Sequence, residues 1–133
     1  MLHMIIDDDI GTLTALQLSL LEAKFHPDPY RPEIAASPFV ARLACQVVEA
    51  LAKKRNTINS RGFKSWRAIE NHPTKIEVIK MHLNRCDDII WDEWCDVEKE
   101  LMVSLLIDPF VAEKSTIEDL IKFKNSKTNC RSQ

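Results

Sequence analysis

Residues Thr74 to Ile107 read TKIEVIKMHLNRCDDIIWDEWCDVEKELMVSLLI, with no proline or glycine among them. Apolar residues recur at Ile76, Ile79, Leu83, Cys86, Ile90, Trp94, Val97, Leu101 and Leu105, in steps of three or four. That spacing is the signature of a helix that buries one face. Taken as one element it gives a helix of about 32 residues, on the order of 50 Å long. Such a length is unusual in a compact domain. The charges argue for an interruption: Arg85 suits a helix end, and Asp87 with Asp88 suits a fresh start. Two helices are therefore expected, or one helix bent between Asn84 and Asp88. Thr74-Lys75-Ile76-Glu77 reads as a capping box at the start.

Working outward, Pro109 closes this region, and Ser115-Thr116-Ile117-Glu118 reads as a second capping box opening a last helix with Leu120, Ile121 and Phe123. Residues 125–133 are polar and expected to be flexible, as are residues 1–8. The first six residues could extend as a strand, but a lone strand lacks a partner here. Upstream, Ser37-Pro38 supplies an N-cap and a first-turn proline. Val40, Leu43, Ala44, Val47, Val48 and Leu51 then follow at helical spacing as far as Lys53, Lys54 and Arg55. The helix spans roughly 38–55. Asn56 to Asn59 form a loop, and Ser60 caps a short helix with Phe63, Trp66 and Ile69 that ends at His72-Pro73. The three prolines between His26 and Pro32 make a rigid connector. Before it, residues 10–25 form a helix capped by Asp9, with leucines on nearly every side, so it is expected to be well buried.

The chain has 133 residues, 45% hydrophobic and 29% charged, the balance of one globular domain. Only two glycines occur, Gly11 and Gly62, which disfavours hairpin-rich β folds and phosphate-cradling loops. The fold class expected is all-α, a compact bundle of about five to seven helices in a single domain. No apolar run is long enough to span a membrane, the N-terminus lacks the pattern of a signal peptide, and the four cysteines are scattered. A cytoplasmic location with free thiols is the expectation.

Two charged segments stand out. Asp88, Asp92, Asp96 and Glu100 repeat every fourth residue, with Glu93 and Trp91 beside them. Stacked like charges cost roughly 0.2–0.5 kcal/mol per pair unless something opposes them. Asp88, Trp91, Asp92, Glu93, Asp96 and Glu100 are thus the candidate docking face for another protein with a basic surface. Solvation, or pairing with the basic segment of the same chain, is the plain alternative. That basic segment carries Lys53, Lys54, Arg55, Arg61, Lys64 and Arg67, interleaved with Phe63 and Trp66, and no carboxylate. Cations beside aromatics suit a nucleic-acid backbone and its bases, although the net charge of −2 lacks the usual basic footprint.

Catalytic patterns are weak. His82 and Cys86 lie one helical turn apart, but two ligands do not make a zinc site. Glu93-Trp94-Cys95-Asp96 has a Glu-x-x-Asp form without the upstream Glu-x-x-Glu that magnesium-binding all-α nucleotide pyrophosphohydrolases pair with it. A metal-dependent hydrolase on Asp92, Glu93 and Asp96 ranks third. The preferred reading is a non-enzymatic protein-binding module, such as a small helical inhibitor, immunity-type or adaptor protein, needing no cofactor and no metal. A nucleic-acid accessory protein is second. A homodimer is expected only if 75–107 is one straight helix whose far end overhangs the domain.

Overall fold

The computed structural model describes the backbone of residues 9–132 and the side chains of residues 9–127. Among the described residues it is all-α, with seven α-helices and two short 3₁₀ turns. The helices are α1 (Ile10–Lys24), α2 (Pro38–Lys54), α3 (Arg61–Arg67), α4 (Pro73–Arg85), α5 (Asp88–Glu93), α6 (Asp96–Ile107) and α7 (Lys114–Ser132). The strand considered for the first six residues lies outside the described residues.

Local chemistry sets most helix starts. Asp9 accepts from the Thr12 amide at 2.7 Å, Ser37 from Val40 at 3.3 Å and Ser60 from Phe63 at 3.1 Å. Each satisfies a first-turn donor that the helix itself cannot. Helix α2 ends where Asn56 takes a left-handed φ of 58°. Thr57 then donates to the Ala52 carbonyl and Asn56 to that of Lys53, the paired bonds of a Schellman motif.

Helix α1 runs antiparallel to α2: Arg55, just past the end of α2, donates to Thr14 near the start of α1, while Lys24, at the end of α1, reaches Ala35 just before α2. Leu13, Val47 and Leu51 form a small core between them. The larger core gathers Ile69, Val78, Ile79, Leu83, Trp91, Val103, Leu106, Ile107, Phe110 and Leu120 from the rest of the chain. One parallel bridge, with Ile69 donating to Val111 and Val111 to Arg67, ties the segment after α3 to the one before α7.

Several expectations need correction. Helix α1 is not buried all round: Leu13 is enclosed, but Leu18 is 62% exposed, because only α2 packs closely along it. Helix α4 starts at Pro73, so Thr74 lies inside it and does not cap it. Helix α7 starts at Lys114, so Ser115 is not its cap either. Glu70 does that work from another part of the chain, accepting from the Glu113 amide at 2.8 Å and the Thr116 hydroxyl at 2.7 Å. Burial pushes the Glu70 carboxyl up, but these two bonds outweigh it and hold it below the usual range. Helix α7 runs through Ser132.

The segment from residue 74 to residue 107 holds three helices, not two. The expected break falls at Cys86 and Asp87, where the Asp87 carboxylate accepts from the amides of Ile89 and Ile90. A second break follows at Trp94 and Cys95, where Glu98 reaches back to the Cys95 amide at 3.1 Å. No straight helix overhangs the domain, so the reason given for a homodimer is gone.

Candidate functional site

Each break resets the helical phase, and the consequence is a surface. Carried through as one helix, the periodic stripe would send Ile90, Val97 and Leu101 into the core. After two resets, α6 instead buries Val103, Leu106 and Ile107. Ile89 is 72% exposed, Ile90 51%, Val97 64% and Leu101 61%. Val97 and Leu101 stand one turn apart on α6 and share a face. Four large apolar side chains within thirteen residues exceed the single exposed leucine that needs no explanation.

The carboxylates of this segment divide into two groups. Asp88 faces inward, 2.7 Å from Lys124 Nζ, and Lys124 is buried and also donates to the Cys86 carbonyl at 2.9 Å. Asp92, Glu93, Asp96 and Glu100 are exposed, with no hydrogen bond or ion pair among the described residues. They alternate along the chain with the exposed apolar residues.

Trp91 corrects the sequence reading. It is fully buried, its Nε1 donates to Asn125 Oδ1 at 2.8 Å, and Lys99 Nζ stands 5.3 Å from its ring. Together with Asp88 it belongs to the scaffold of α5, and it cannot anchor a partner. The exposed residues of this segment are therefore Asp92, Glu93, Asp96 and Glu100 with Ile89, Ile90, Val97 and Leu101, and they make up the candidate face. The four apolar members went unrecognised because the stripe pattern assigned three of them to the core. For Val97 and Leu101 the signal that could have found them was Glu98 three residues after Cys95, a helix-start pattern.

The basic segment also divides. Arg67 is drawn inward, with Nη2 3.2 Å from Glu49 Oε1 and Nε donating to the Pro109 carbonyl at 2.9 Å. Lys53, Lys54, Arg55, Arg61 and Lys64 are exposed. Phe63 and Trp66 stack on each other with centroids 6.1 Å apart and an interplanar angle of 28°. Together with α1 and α2 they bound a cavity of about 430 Å³.

Two buried polar groups lie elsewhere. His82 is buried, and its Nε2 is 3.0 Å from the His26 carbonyl. That contact makes Nε2 the protonated nitrogen, and Nδ1 is left without a partner. Burial, ahead of the positive charges of Arg85 and Lys24, holds its pKa below the usual value. Lys24 is fully buried, its Nζ donating to the carbonyls of Leu105 at 2.6 Å and Ala35 at 3.1 Å. Burial lowers its pKa to about 8, against the opposing pull of Asp108. Its two acceptors account for it as a tie between α1, the connector and α6, and it has no open face for substrate.

Among the described residues no group of three or more His, Cys, Asp or Glu side chains is arranged to hold a metal ion. His82 with Cys86, and the Asp92–Asp96 turn, acquire no further ligand from the fold. No described helix is long and apolar enough to cross a membrane. No protein-family model matches the chain, and no curated protein or solved structure matches it either.

Proposed function

We propose that this chain is a protein-binding module that docks a basic partner through the α5–α6 face. The observation that carries the reading is the pairing of exposed Val97 and Leu101 with the unpartnered carboxylates of Asp92, Asp96 and Glu100 in one short segment. Apolar residues supply burial at the centre of such an interface, on the order of 25 cal/mol per Å² removed from water. Carboxylates around them steer a positively charged partner and reject acidic ones. The same charges disfavour self-pairing through this face, because two copies would bring like charges together. A small helical inhibitor or adaptor is the kind of protein this describes.

Selection from an unbiased displayed-peptide library, with the whole chain as bait, tests the reading. Enriched peptides should combine Lys or Arg with large apolar residues, and lose binding to Val97→Ser/Leu101→Ser and to Asp92→Lys/Asp96→Lys. Failure to enrich any motif, or enrichment indifferent to both double variants, would contradict it.

A further inference from the structure

We propose that the cavity between α1, α2 and α3 binds a small organic anion with a flat apolar body. Its volume of about 430 Å³ falls inside the roughly 300–1,000 Å³ of small-molecule sites. Val48 and Leu51 of α2 form an apolar floor, and Phe63 and Trp66 of α3 form an aromatic wall. That wall is braced from behind: Trp66 packs on Phe110 with centroids 5.1 Å apart, and the Arg67 guanidinium lies 5.9 Å from the Phe63 ring. A wall held on its far side keeps its shape when the cavity empties, which lowers the ordering cost of binding.

Charge selects the ligand. Residues 53–67 hold six cations and no carboxylate. Glu49 engages Arg67, whereas Arg55 stands on the cavity lining itself. Arg55 gives one bond to Thr14 Oγ1 at 3.0 Å, and a guanidinium has five N–H donors, so donors remain for a carboxylate, sulfonate or phosphate at the mouth. Arg55 is the one cation on that lining. An apolar floor with one guanidinium on its lining fits an aromatic or alicyclic acid. A single-stranded nucleic acid fits less well, because Phe63 and Trp66 stack on each other rather than standing apart to take successive bases.

Gly62 offers a clean probe. It lies on the cavity lining with helical, negative φ, and a Cβ built there meets nothing within 4 Å. A larger side chain there has room without displacing the fold, and from its place on the lining it competes with a ligand for the same space.

Fluorescence titration with anilinonaphthalene sulfonate, an aromatic anion, and phenylnaphthylamine, its uncharged relative, tests the proposal on the whole chain. The sulfonate should bind the wild type and should be lost in Gly62→Phe, at an unchanged melting temperature. Arg55→Gln should weaken it about tenfold, the scale of one charge-assisted contact, while Arg55→Lys retains most of the affinity and the uncharged dye is indifferent to either change. Binding that survives Gly62→Phe, or disappears in Val97→Ser/Leu101→Ser instead, would place the dye elsewhere and overturn the proposal. So would equal loss of both dyes in Arg55→Gln. Salt-sensitive displacement of the sulfonate by a single-stranded oligonucleotide, abolished by Lys53→Glu/Lys64→Glu, would assign the surface to a nucleic acid and overturn it as well.

Discussion

Trp91 Nε1 donates to Asn125 Oδ1 at 2.8 Å, joining the short helix α5 to the last helix of the chain. The indole is fully enclosed, so this bond satisfies a donor that water cannot reach. It also holds α5 in the orientation that turns Ile89 and Ile90 outward. Asn125→Leu should therefore destabilise the fold by about 1–3 kcal/mol, the cost of an orphaned buried donor, measured by urea unfolding. Trp91→Phe combined with Asn125→Leu removes both polar groups, so the double variant should lose less than the sum of the two single effects. A double variant that loses the sum of the two single effects would show that the bond contributes nothing.

Lys124 is a second tie between α5 and α7, since its ammonium meets both Asp88 and the Cys86 carbonyl at the break before α5. Lys124→Met leaves a half-buried carboxylate without this cation. It should cost about 3 kcal/mol, the lower end of the range for breaking a buried pair. Asp88→Asn in the same background should restore part of the stability. Exposed Asp92→Asn, by contrast, should change stability by less than about 0.5 kcal/mol.

Lys24 gives a pH signature with a defined sign. Its pKa in the fold is about 8, against an ordinary value of 10.5. Above pH 8 the folded chain gives up this proton while the unfolded chain keeps it, so stability rises with pH. The Cys45 thiol works the other way: burial, helped by the negative charge of Asp108, pushes it up to about 11 from 9.0. Above pH 9 the unfolded chain loses that proton first, and stability falls. Between pH 8 and 9 Lys24 contributes a gain of about 1 kcal/mol. The Cys45 and Cys86 thiols, both raised by burial, each take back a few tenths, roughly 0.3 kcal/mol. The change in unfolding free energy between the two pH values should therefore be more positive in the wild type than in Lys24→Met by about 1 kcal/mol. An equal gain in the variant would assign the titration to another group.

Asn56 ends α2 in the left-handed region. Asn56→Val should cost about 1–2 kcal/mol, because a β-branched side chain clashes there. Asn56→Gly should match the wild type within about 0.5 kcal/mol. Thermal unfolding of the pair separates this backbone effect from loss of a side-chain contact, which both variants would share.

Much of the fold was legible because its signals are local. Asp9, Ser37-Pro38 and Ser60 announce helix starts through bonds made within three residues, and α2 shows its buried face at helical spacing. What escaped was long-range or depended on phase. Glu70 caps α7 from forty-three residues away, and no window of sequence contains both partners. Lys24 sits among leucines and reads as the charged end of a helix, yet its ammonium is enclosed by carbonyls from two other segments. The candidate site was half legible for the same reason. Its charges are visible as a run, but whether Trp91 or Val97 faces solvent depends on where the helix stops and restarts. Missing the restart at Cys95 left Val97 and Leu101 in the core stripe, while the phase set at Asp87 is what turns Trp91 in and Ile90 out.

Backbone amide shift mapping by NMR shows whether residues 89–101 receive a partner. The isotope-labelled chain would be titrated with the best basic, apolar peptide from the displayed library. The expected result is a set of shifts concentrated between Ile89 and Leu101, weakened by added salt and abolished in Val97→Ser/Leu101→Ser, which itself stays folded. Shifts centred on Lys53 to Arg67, or shifts unaffected by the double substitution, would place the partner elsewhere.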